Sequence, residues 1–540
     1  MKDISSTGSF IDFTLENYIY VDKTEYIPKL VKLKRVFISR PRRFGKSLTL
    51  DTIATLFETG VEPYFKGTWI YDKWTEPTYP VLRLNFLNFD KNSIEKFNNK
   101  LNSKITEFAE LNKVTTYKEK EEAEDSIDHL LEQLRLENRQ IVILIDEYDC
   151  QMTANINNET LYKQFQEKIK SFYATIKNKW PIKFLGITGV TRLKDVEIFS
   201  IGSDIRDITN ASAYSQMIGF TRDEIKRYYI DYLKLAASCE NKCRVEEVTD
   251  AQIESMLDMM AQNYDGYCFD EFYKKKVFST WSVNKFFQSV VSNKFVYFGE
   301  YWYDNGGLPS ILVNYLKTHE LNIFEYLDKD KFLKVSSDDF KNPTALTTIN
   351  QNVLMCQTGY LTLRSDLNKT STVALGIPNG EIYKALNRLL ANNIFKGNTD
   401  ITDDYGRSLL EVGTVDDIIN LFNSALNSVS YDNYPIVSES SVQNMLKLYL
   451  LGAHQKVLSE VHEAKGRADL VVNTDNRRIV FEFKYAKNET EAKSKLLDAV
   501  EQIKTRDYGN IVPKKTELLR IAAVFNADPK VRAFTEYQEV

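Results

Sequence analysis

The strongest constraint on the fold of this chain is a strand–loop–helix passage near its N-terminus. Arg35-Val36-Phe37-Ile38-Ser39 reads as a short buried strand and Leu48–Phe57 as a helix, with Arg40-Pro41-Arg42-Arg43-Phe44-Gly45-Lys46-Ser47 between them. Three further runs read as strands: Val81–Phe86, Ile141–Ile145 and Lys183–Thr188. The run Ile141-Val142-Ile143-Leu144-Ile145 is continuously apolar and mostly β-branched, which suits a strand covered on both faces of a parallel sheet. Helical patterns separate these runs. Strand–helix alternation predicts an α/β domain over residues 1–215 with a parallel sheet.

Beyond it, Thr221-Arg222-Asp223-Glu224 has the form of a capping box, and the pattern to about residue 435 is mostly helical. Residues 216–435 therefore read as a helical lid and linker region, with short strands near Tyr360–Leu363. From 436 to 540 the pattern changes to a helix (about 440–452), strands at Ala468–Val472 and Ile479–Lys484, a helix (about 490–506) and a strand at Leu518–Phe525. That is a compact αββαβ module. A chain of 540 residues fits about three domains at roughly 100–200 residues each.

Composition excludes several classes. With 43% hydrophobic and 27% charged residues, global disorder is excluded, and a net charge of −5 gives no whole-chain attraction to nucleic acid or anionic membrane. Residues 441–540 differ, with 17 Lys and Arg against 14 Asp and Glu, which allows a DNA-facing groove. The five cysteines form no Cys-x-x-Cys pair, and His129, His319, His454 and His462 form no metal-binding set, so structural zinc is not expected. No apolar run of roughly 18 residues or more occurs and Met1–Ser5 has no apolar signal region, so the expectation is a cytoplasmic protein with no membrane contact.

The loop at 40–47 has the context of a phosphate-binding loop: backbone N–H groups at a helix N-terminus, Lys46 for the β- and γ-phosphates, and Ser47 for Mg²⁺. The glycine expected five residues before Gly45 is replaced by Arg40. Pro41 then sets the turn, and Arg40, Arg42 and Arg43 add positive charge near a nucleotide. About 100 residues on, the apolar strand ends in Asp146-Glu147. Asp146 is placed to complete the Mg²⁺ shell and Glu147 to act as general base toward water. The run ending Gly186-Ile187-Thr188-Gly189-Val190-Thr191-Arg192 offers Thr188 or Thr191 as a γ-phosphate sensor, and Arg192 and Arg206 as charge stabilisers. ATP and Mg²⁺ are the expected cofactors, with Arg40, Pro41, Arg42, Arg43, Phe44, Gly45, Lys46, Ser47, Asp146, Thr188 and Arg192 as nucleotide-site residues.

A second site is expected in the C-terminal module. Asp469 lies in the first strand, and in Val480-Phe481-Glu482-Phe483-Lys484 the period of 2 directs Glu482 and Lys484 to one face. Asp469 and Glu482 suit one divalent metal, with Glu460 as a further carboxylate, Lys484 to stabilise phosphate charge and Gln502 to position substrate or water. Tyr264-Asp265-Gly266-Tyr267 and Tyr301-Trp302-Tyr303 could stack on bases, but core packing is the favoured reading.

Taken in order, these motifs resemble the bacterial AAA-ATPase-like proteins that carry a C-terminal PD-(D/E)XK nuclease-superfamily domain. The resemblance rests on Tyr20-Val21-Asp22-Lys23-Thr24, Arg40–Ser47, Ile145-Asp146-Glu147-Tyr148-Asp149, Tyr264–Tyr267, Thr358-Gly359-Tyr360-Leu361-Thr362, Gly376–Glu381, Gly466-Arg467-x-Asp469, Glu482-x-Lys484 and Gln502-Ile503-Lys504. In that family Arg at position 40 is normal. Two places depart from it: Thr280-Trp281 stands where the family often has Asn-Pro before Ser282-Val283, and Ser200–Asp204 matches loosely. The resemblance implies a P-loop ATPase domain, a helical region and, over 436–540, an α/β restriction-endonuclease-like domain acting on nucleic acid, DNA before RNA. The alternative is a nucleotide-driven switch or scaffold whose C-terminal domain binds nucleic acid or a partner without cleaving. Many ATPases of this broad class work as rings, so a homo-oligomer stands as an open expectation.

Overall fold

The computed structural model describes residues 2–193, 204–304, 310–316, 323–343, 345–395, 405–453, 456–463, 466–508 and 517–540. They divide into two compact units, one of residues 1–321 and 330–382, the other of residues 322–329 and 383–540. The segment 216–435 is thus divided between them: 216–321 and 330–382 fall in the P-loop unit, and 322–329 and 383–435 in the other.

The first unit is built on five strands: β1 (Arg35–Ser39), β2 (Val81–Asn85), β3 (Ile141–Asp146), β4 (Ile182–Gly189) and the short β5 (Arg206–Asp207). All are parallel, in the order β2-β3-β4-β1-β5. Every residue of β1 and β3 is buried, as the apolar runs Val36–Ile38 and Ile141–Ile145 require in a sheet covered on both faces. β4 lies between β1 and β3, with Ile38 beside Thr188, Ser39 beside Gly189, and Ile145 beside Ile187. The C-terminal tips of these three strands therefore lie side by side. Helix α1 (Lys46–Thr59) leaves the loop after β1, and α2 (Ile94–Leu111), α3 (Ala123–Leu136) and α4 (Glu159–Ile176) each bury an i, i+3, i+4 stripe. Phe97 of α2 meets Phe165 of α4 edge-on at 5.6 Å.

A helical subregion follows in the same unit: α5 (Arg222–Tyr228), α6 (Ile230–Asn241), α7 (Asp250–Tyr264) and α8 (Thr280–Asn293). Thr221 and Glu224 form both bonds of the capping box at the start of α5. Ile225, Leu233, Met256, Met260, Val283, Phe286 and Phe287 make one core there. Tyr264, Tyr267 and Trp302 are fully buried and so serve packing, with no ring face left for a base. A small antiparallel sheet, β6 (Leu333–Ser336), β7 (Thr362–Leu363) and β8 (Thr372–Gly376), completes the unit.

The second unit holds a five-stranded mixed sheet: β9 (Lys456–Glu463), β10 (Gly466–Asn473), β11 (Arg477–Ala486), β12 (Glu517–Asn526) and β13 (Ala533–Glu539), ordered β13-β12-β11-β10-β9. β9, β10 and β11 form an antiparallel meander, β11 and β12 are parallel, and β13 returns antiparallel. Its helices include α9 (Val415–Asn427), α10 (Glu439–Gly452) and α11 (Glu489–Arg506), the last forming the crossover that parallel β11 and β12 require. The sequence reading lacked β9 and β13, so its three-stranded module is extended to five. β11 is central and its faces alternate. Phe481 and Phe483 stack at 5.5 Å and meet Phe422 and Phe534, while Val480 packs with Ala499 and Ile503 of α11.

Candidate nucleotide site and candidate metal-dependent site

The loop from β1 to α1 reaches the helix through Gly45, whose φ of 102° lies in the left-handed region that a side chain disfavours. Arg43 also takes a positive φ, 65°, a conformation that costs a non-glycine residue energy. Arg42, Arg43, Phe44, Gly45, Lys46 and Ser47 all border one cavity of about 510 Å³. Its other walls include Thr7 and Gly8, Tyr20 and Val21, Glu147, and Thr280, Trp281 and Asn284 of α8.

Side-chain contacts knit the three strand tips together. Asp146 takes a hydrogen bond from Ser47 Oγ at 2.6 Å on one carboxylate oxygen and one from Thr188 Oγ1 on the other. Lys46 Nζ donates to the carbonyls of Arg40 and Pro41 at 3.1 and 3.2 Å and lies 3.5 Å from Glu147 Oε1. Burial pushes the Glu147 carboxyl above its ordinary pKa, while the charge of Lys46 opposes the shift. A raised carboxyl pKa is what a general base toward water needs. Ser47 and Asp146 stand close enough to share one cation, and Arg42, Arg43 and Lys46 gather positive charge at a helix N-terminus, so the residues fit both Mg²⁺ and a polyphosphate.

Two positions differ from the sequence expectation. Arg40 is 1% exposed and borders a separate small cavity behind the loop, along with Pro41 and Arg192. Its guanidinium donates to the carbonyls of Ser39 and Thr209 and lies 4.0 Å from the centre of the Phe269 ring. Burial pulls its pKa down, against the opposing charge of Asp207. Arg40 therefore braces the back of the loop and does not bring charge to the nucleotide cavity. Arg192 is paired with Asp207 of β5, and the side chain of Gln357 bonds its backbone, so it too is held behind the loop. Phe44 points into an aromatic cluster with Tyr267 and Phe269, anchoring the loop. Arg206 is exposed on β5. The segment Ser200–Ser203 lies outside the described residues.

The sequence motifs gave no site role to Tyr148, Asp149, Gly189, Thr280 or Trp281. Asp149, 1% exposed, accepts from both Thr191 N and Thr191 Oγ1, and Tyr148 Oη donates to the Thr191 carbonyl at 3.2 Å. This pair ties the tip of β3 to the tip of β4, and Thr191 is thereby a structural partner of Asp149. At Gly189 a Cβ would stand 2.7 Å from Asp149 Oδ1, so only glycine lets the two tips approach so closely. Thr280 and Trp281 also reach the loop: Thr280 Oγ1 donates to the Arg43 carbonyl at 2.9 Å, and the Arg43 guanidinium carbon lies 4.2 Å from the Trp281 ring centre. The departure from the family pattern at 280–281 thus keeps a contact with the loop. Lys23 instead serves packing, donating to Glu224 and the Gln216 carbonyl at 2.7 Å each.

In the second unit the ladder between β10 and β11 runs to Leu470 opposite Phe481. The next inward backbone donor, Phe483 N, bonds the Asp469 carboxylate at 2.9 Å, which fixes Asp469 beside Glu482. Gln443 of α10 donates to the Asp469 carbonyl. Glu482 is 1% exposed, and Lys484 Nζ bonds its Oε1 at 2.8 Å and Glu439 Oε1 at 3.2 Å. Burial, with the charge of Asp469 adding to it, pushes the Glu482 pKa from 4.5 up to about 7, against the pull of Lys484. Glu482 Oε2 is buried with no hydrogen-bond partner among the described residues. A buried, unsatisfied carboxylate oxygen beside a second carboxylate fits a divalent cation.

Gln502 donates to Tyr508 Oη at 3.3 Å, as Arg506 does at 2.9 Å. Glu460 lies on β9, but its side chain is outside the described residues, as are those of Arg467 and His462 and all of His454. Among the described residues no group of three or more His, Cys, Asp or Glu is gathered around a metal position. No helix among them is long and apolar enough to cross a membrane.

Comparison with known proteins agrees with this division. Residues 5–199 match the family described as predicted AAA-ATPase, and residues 437–534 match the PD-(D/E)XK nuclease superfamily. The chain is 24% identical over 530 residues to a protein of Azotobacter chroococcum mcd 1 named "Uncharacterized protein in vnfD 5'region", covering 95% of this chain and 94% of that one. A solved structure titled as Cdc6p from Pyrobaculum aerophilum aligns over 68% of this chain and 93% of its own at 11% identity, with a TM-score of 0.22, which carries no weight for fold or function.

Proposed function

We propose, for a chain that joins an AAA-ATPase-like domain to a PD-(D/E)XK nuclease-superfamily domain, that ATP binding and hydrolysis in the first unit are coupled to metal-dependent cleavage of nucleic-acid phosphodiesters in the second. The observation that carries this reading is the pairing of Asp469 with a buried Glu482 that leaves one carboxylate oxygen unsatisfied, in a chain that also gathers Lys46, Ser47, Asp146 and Glu147.

In the first unit, Lys46, Arg42 and Arg43 neutralise phosphate charge, and Ser47 and Asp146 hold Mg²⁺. Glu147 takes the proton of the attacking water, and Thr188, bonded to Asp146, links the strand between them to that event. In the second unit, Asp469 and Glu482 would hold a divalent cation, which would supply Lewis-acid polarisation and an activated water. Lys484 keeps Glu482 oriented and places a positive charge where the phosphate carries its negative charge. DNA is the proposed polymer ahead of RNA, and the five free cysteines agree with a reducing cytoplasm.

The test has two arms. Purified protein should hydrolyse ATP with Mg²⁺, and Lys46→Ala should abolish binding while Glu147→Gln binds ATP but turns it over at least about 100-fold more slowly. Mg²⁺- or Mn²⁺-dependent cleavage of single- and double-stranded DNA and RNA is then assayed with and without ATP. Undiminished ATP binding by Lys46→Ala would show the nucleotide site to be misplaced.

A further inference from the structure

The phosphate loop carries an arginine held by a tryptophan from a distant part of the sequence. Arg43 and Trp281 are 238 positions apart, yet the guanidinium lies over the indole, with its carbon 4.2 Å from the ring centre. Thr280 fixes the same residue from its other end, through the Arg43 carbonyl. The indole is itself anchored, since Trp281 Nε1 donates to the Tyr301 carbonyl at 3.0 Å. The start of α8 is anchored in turn, because Ser282 Oγ donates to the buried Glu381 at 2.6 Å.

The charge balance shows what this clamp holds in place. Arg43 NH1 is buried and has no hydrogen-bond partner among the described residues. Burial pulls the Arg43 pKa down, and the neighbouring Arg42 pulls it further. Both arginines and Lys46 border the same cavity. A partly buried cation beside a like charge, with an unsatisfied donor, is costly unless an anion completes it. A nucleotide's phosphates are the anion the loop geometry brings there. The π face of Trp281 partly replaces water for the cation and holds the planar fork in one orientation.

Resting on the ATP reading above, we infer that Trp281 is a positioning residue for the phosphate site. It holds Arg43 so that its unpartnered NH1 donor meets the polyphosphate of ATP, adding a cation to those of Lys46 and Arg42. Trp281 in the cavity wall then also reports the phosphate state of the site, since an anion on Arg43 changes the net charge lying over its ring.

The experiment is a double-mutant cycle on ATP affinity, measured by titration calorimetry on the full chain, with Arg43→Gln, Trp281→Ala and the double variant. Arg43→Gln and Trp281→Ala should each weaken ATP by about 5- to 30-fold, the range a partly desolvated cation–π contact spans. The double variant should bind no worse than Arg43→Gln alone, and Trp281→Phe, which keeps a ring face, should stay within about threefold of wild type. Additive losses, or loss in Arg43→Gln with none in Trp281→Ala, would overturn the proposal. If Trp281→Ala does not fold, tryptophan emission decides. The ATP-induced change seen in wild type should disappear in Trp281→Phe, and an identical change in both would overturn it. Failure of wild type itself to bind ATP would refute the nucleotide reading and not the clamp specifically.

Discussion

Arg40 shows how one residue can look like a defect in a motif and prove to be a brace. Its guanidinium caps two backbone carbonyls and covers the Phe269 ring from a position almost wholly out of water. Arg40→Gly, which restores the usual glycine of the motif, should therefore lower stability by about 2–5 kcal/mol in urea denaturation, as large-to-small changes at buried sites do. A neutral or stabilising result would mean that the turn alone sets the loop. Glu482 gives a prediction in pH. Its folded pKa of about 7 exceeds the ordinary 4.5, so the folded state binds more protons than the unfolded state between those values. Its contribution to stability is then fully present below about 4.5 and is lost as pH rises through about 7. In metal-free protein, Glu482→Gln should flatten the fall in melting temperature across that window, and an unchanged slope would show that Glu482 is not desolvated. The alternation of Glu482 and Lys484 was legible because a strand has period 2. The roles of Arg40 and Arg192 were not, because a side chain's direction out of an irregular loop has no sequence period.

At the scale of elements, the buried strands of the first sheet were legible because long apolar runs have few alternatives. The edge strands β5, β9 and β13 were not. β13 buries Phe534 but leaves Glu536, Gln538 and Glu539 accessible, so it has no strong alternation, and the two residues of β5 are too few to show any pattern. The α8 contact with the loop was also hidden, since nothing in local sequence joins Trp281 to Arg43. What lines up the two chemical strands is the close approach of the tips of β3 and β4 at Gly189. Gly189→Ala should cost about 1–3 kcal/mol through overpacking against Tyr148 and Asp149, and should slow ATP hydrolysis more than it weakens ATP binding, because Thr188 is the residue displaced. Steady-state kinetics beside calorimetric affinity would check this. An equal loss in both would place the effect on nucleotide binding instead.

At the scale of the whole molecule, the account joins two units that each gather charged groups at high desolvation cost. Such costs persist where the groups serve a ligand, and both constellations lie at the ends or openings of sheet strands, where backbone bonding already leaves room. Because each constellation lies within its own compact unit, each activity should be removable alone: Lys46→Ala should abolish ATP binding and leave the Asp469–Glu482 pair in place, and Asp469→Ala should leave ATP turnover within about twofold. The measurement that tests the central claim most directly is metal-dependent cleavage by the full chain. With Mn²⁺ or Mg²⁺ and ATP, wild type should cut at least one of single-stranded DNA, double-stranded DNA or RNA, and Asp469→Ala should reduce that cleavage by at least about 100-fold while still hydrolysing ATP. Absence of cleavage on all these polymers, or cleavage that survives Asp469→Ala, would contradict it.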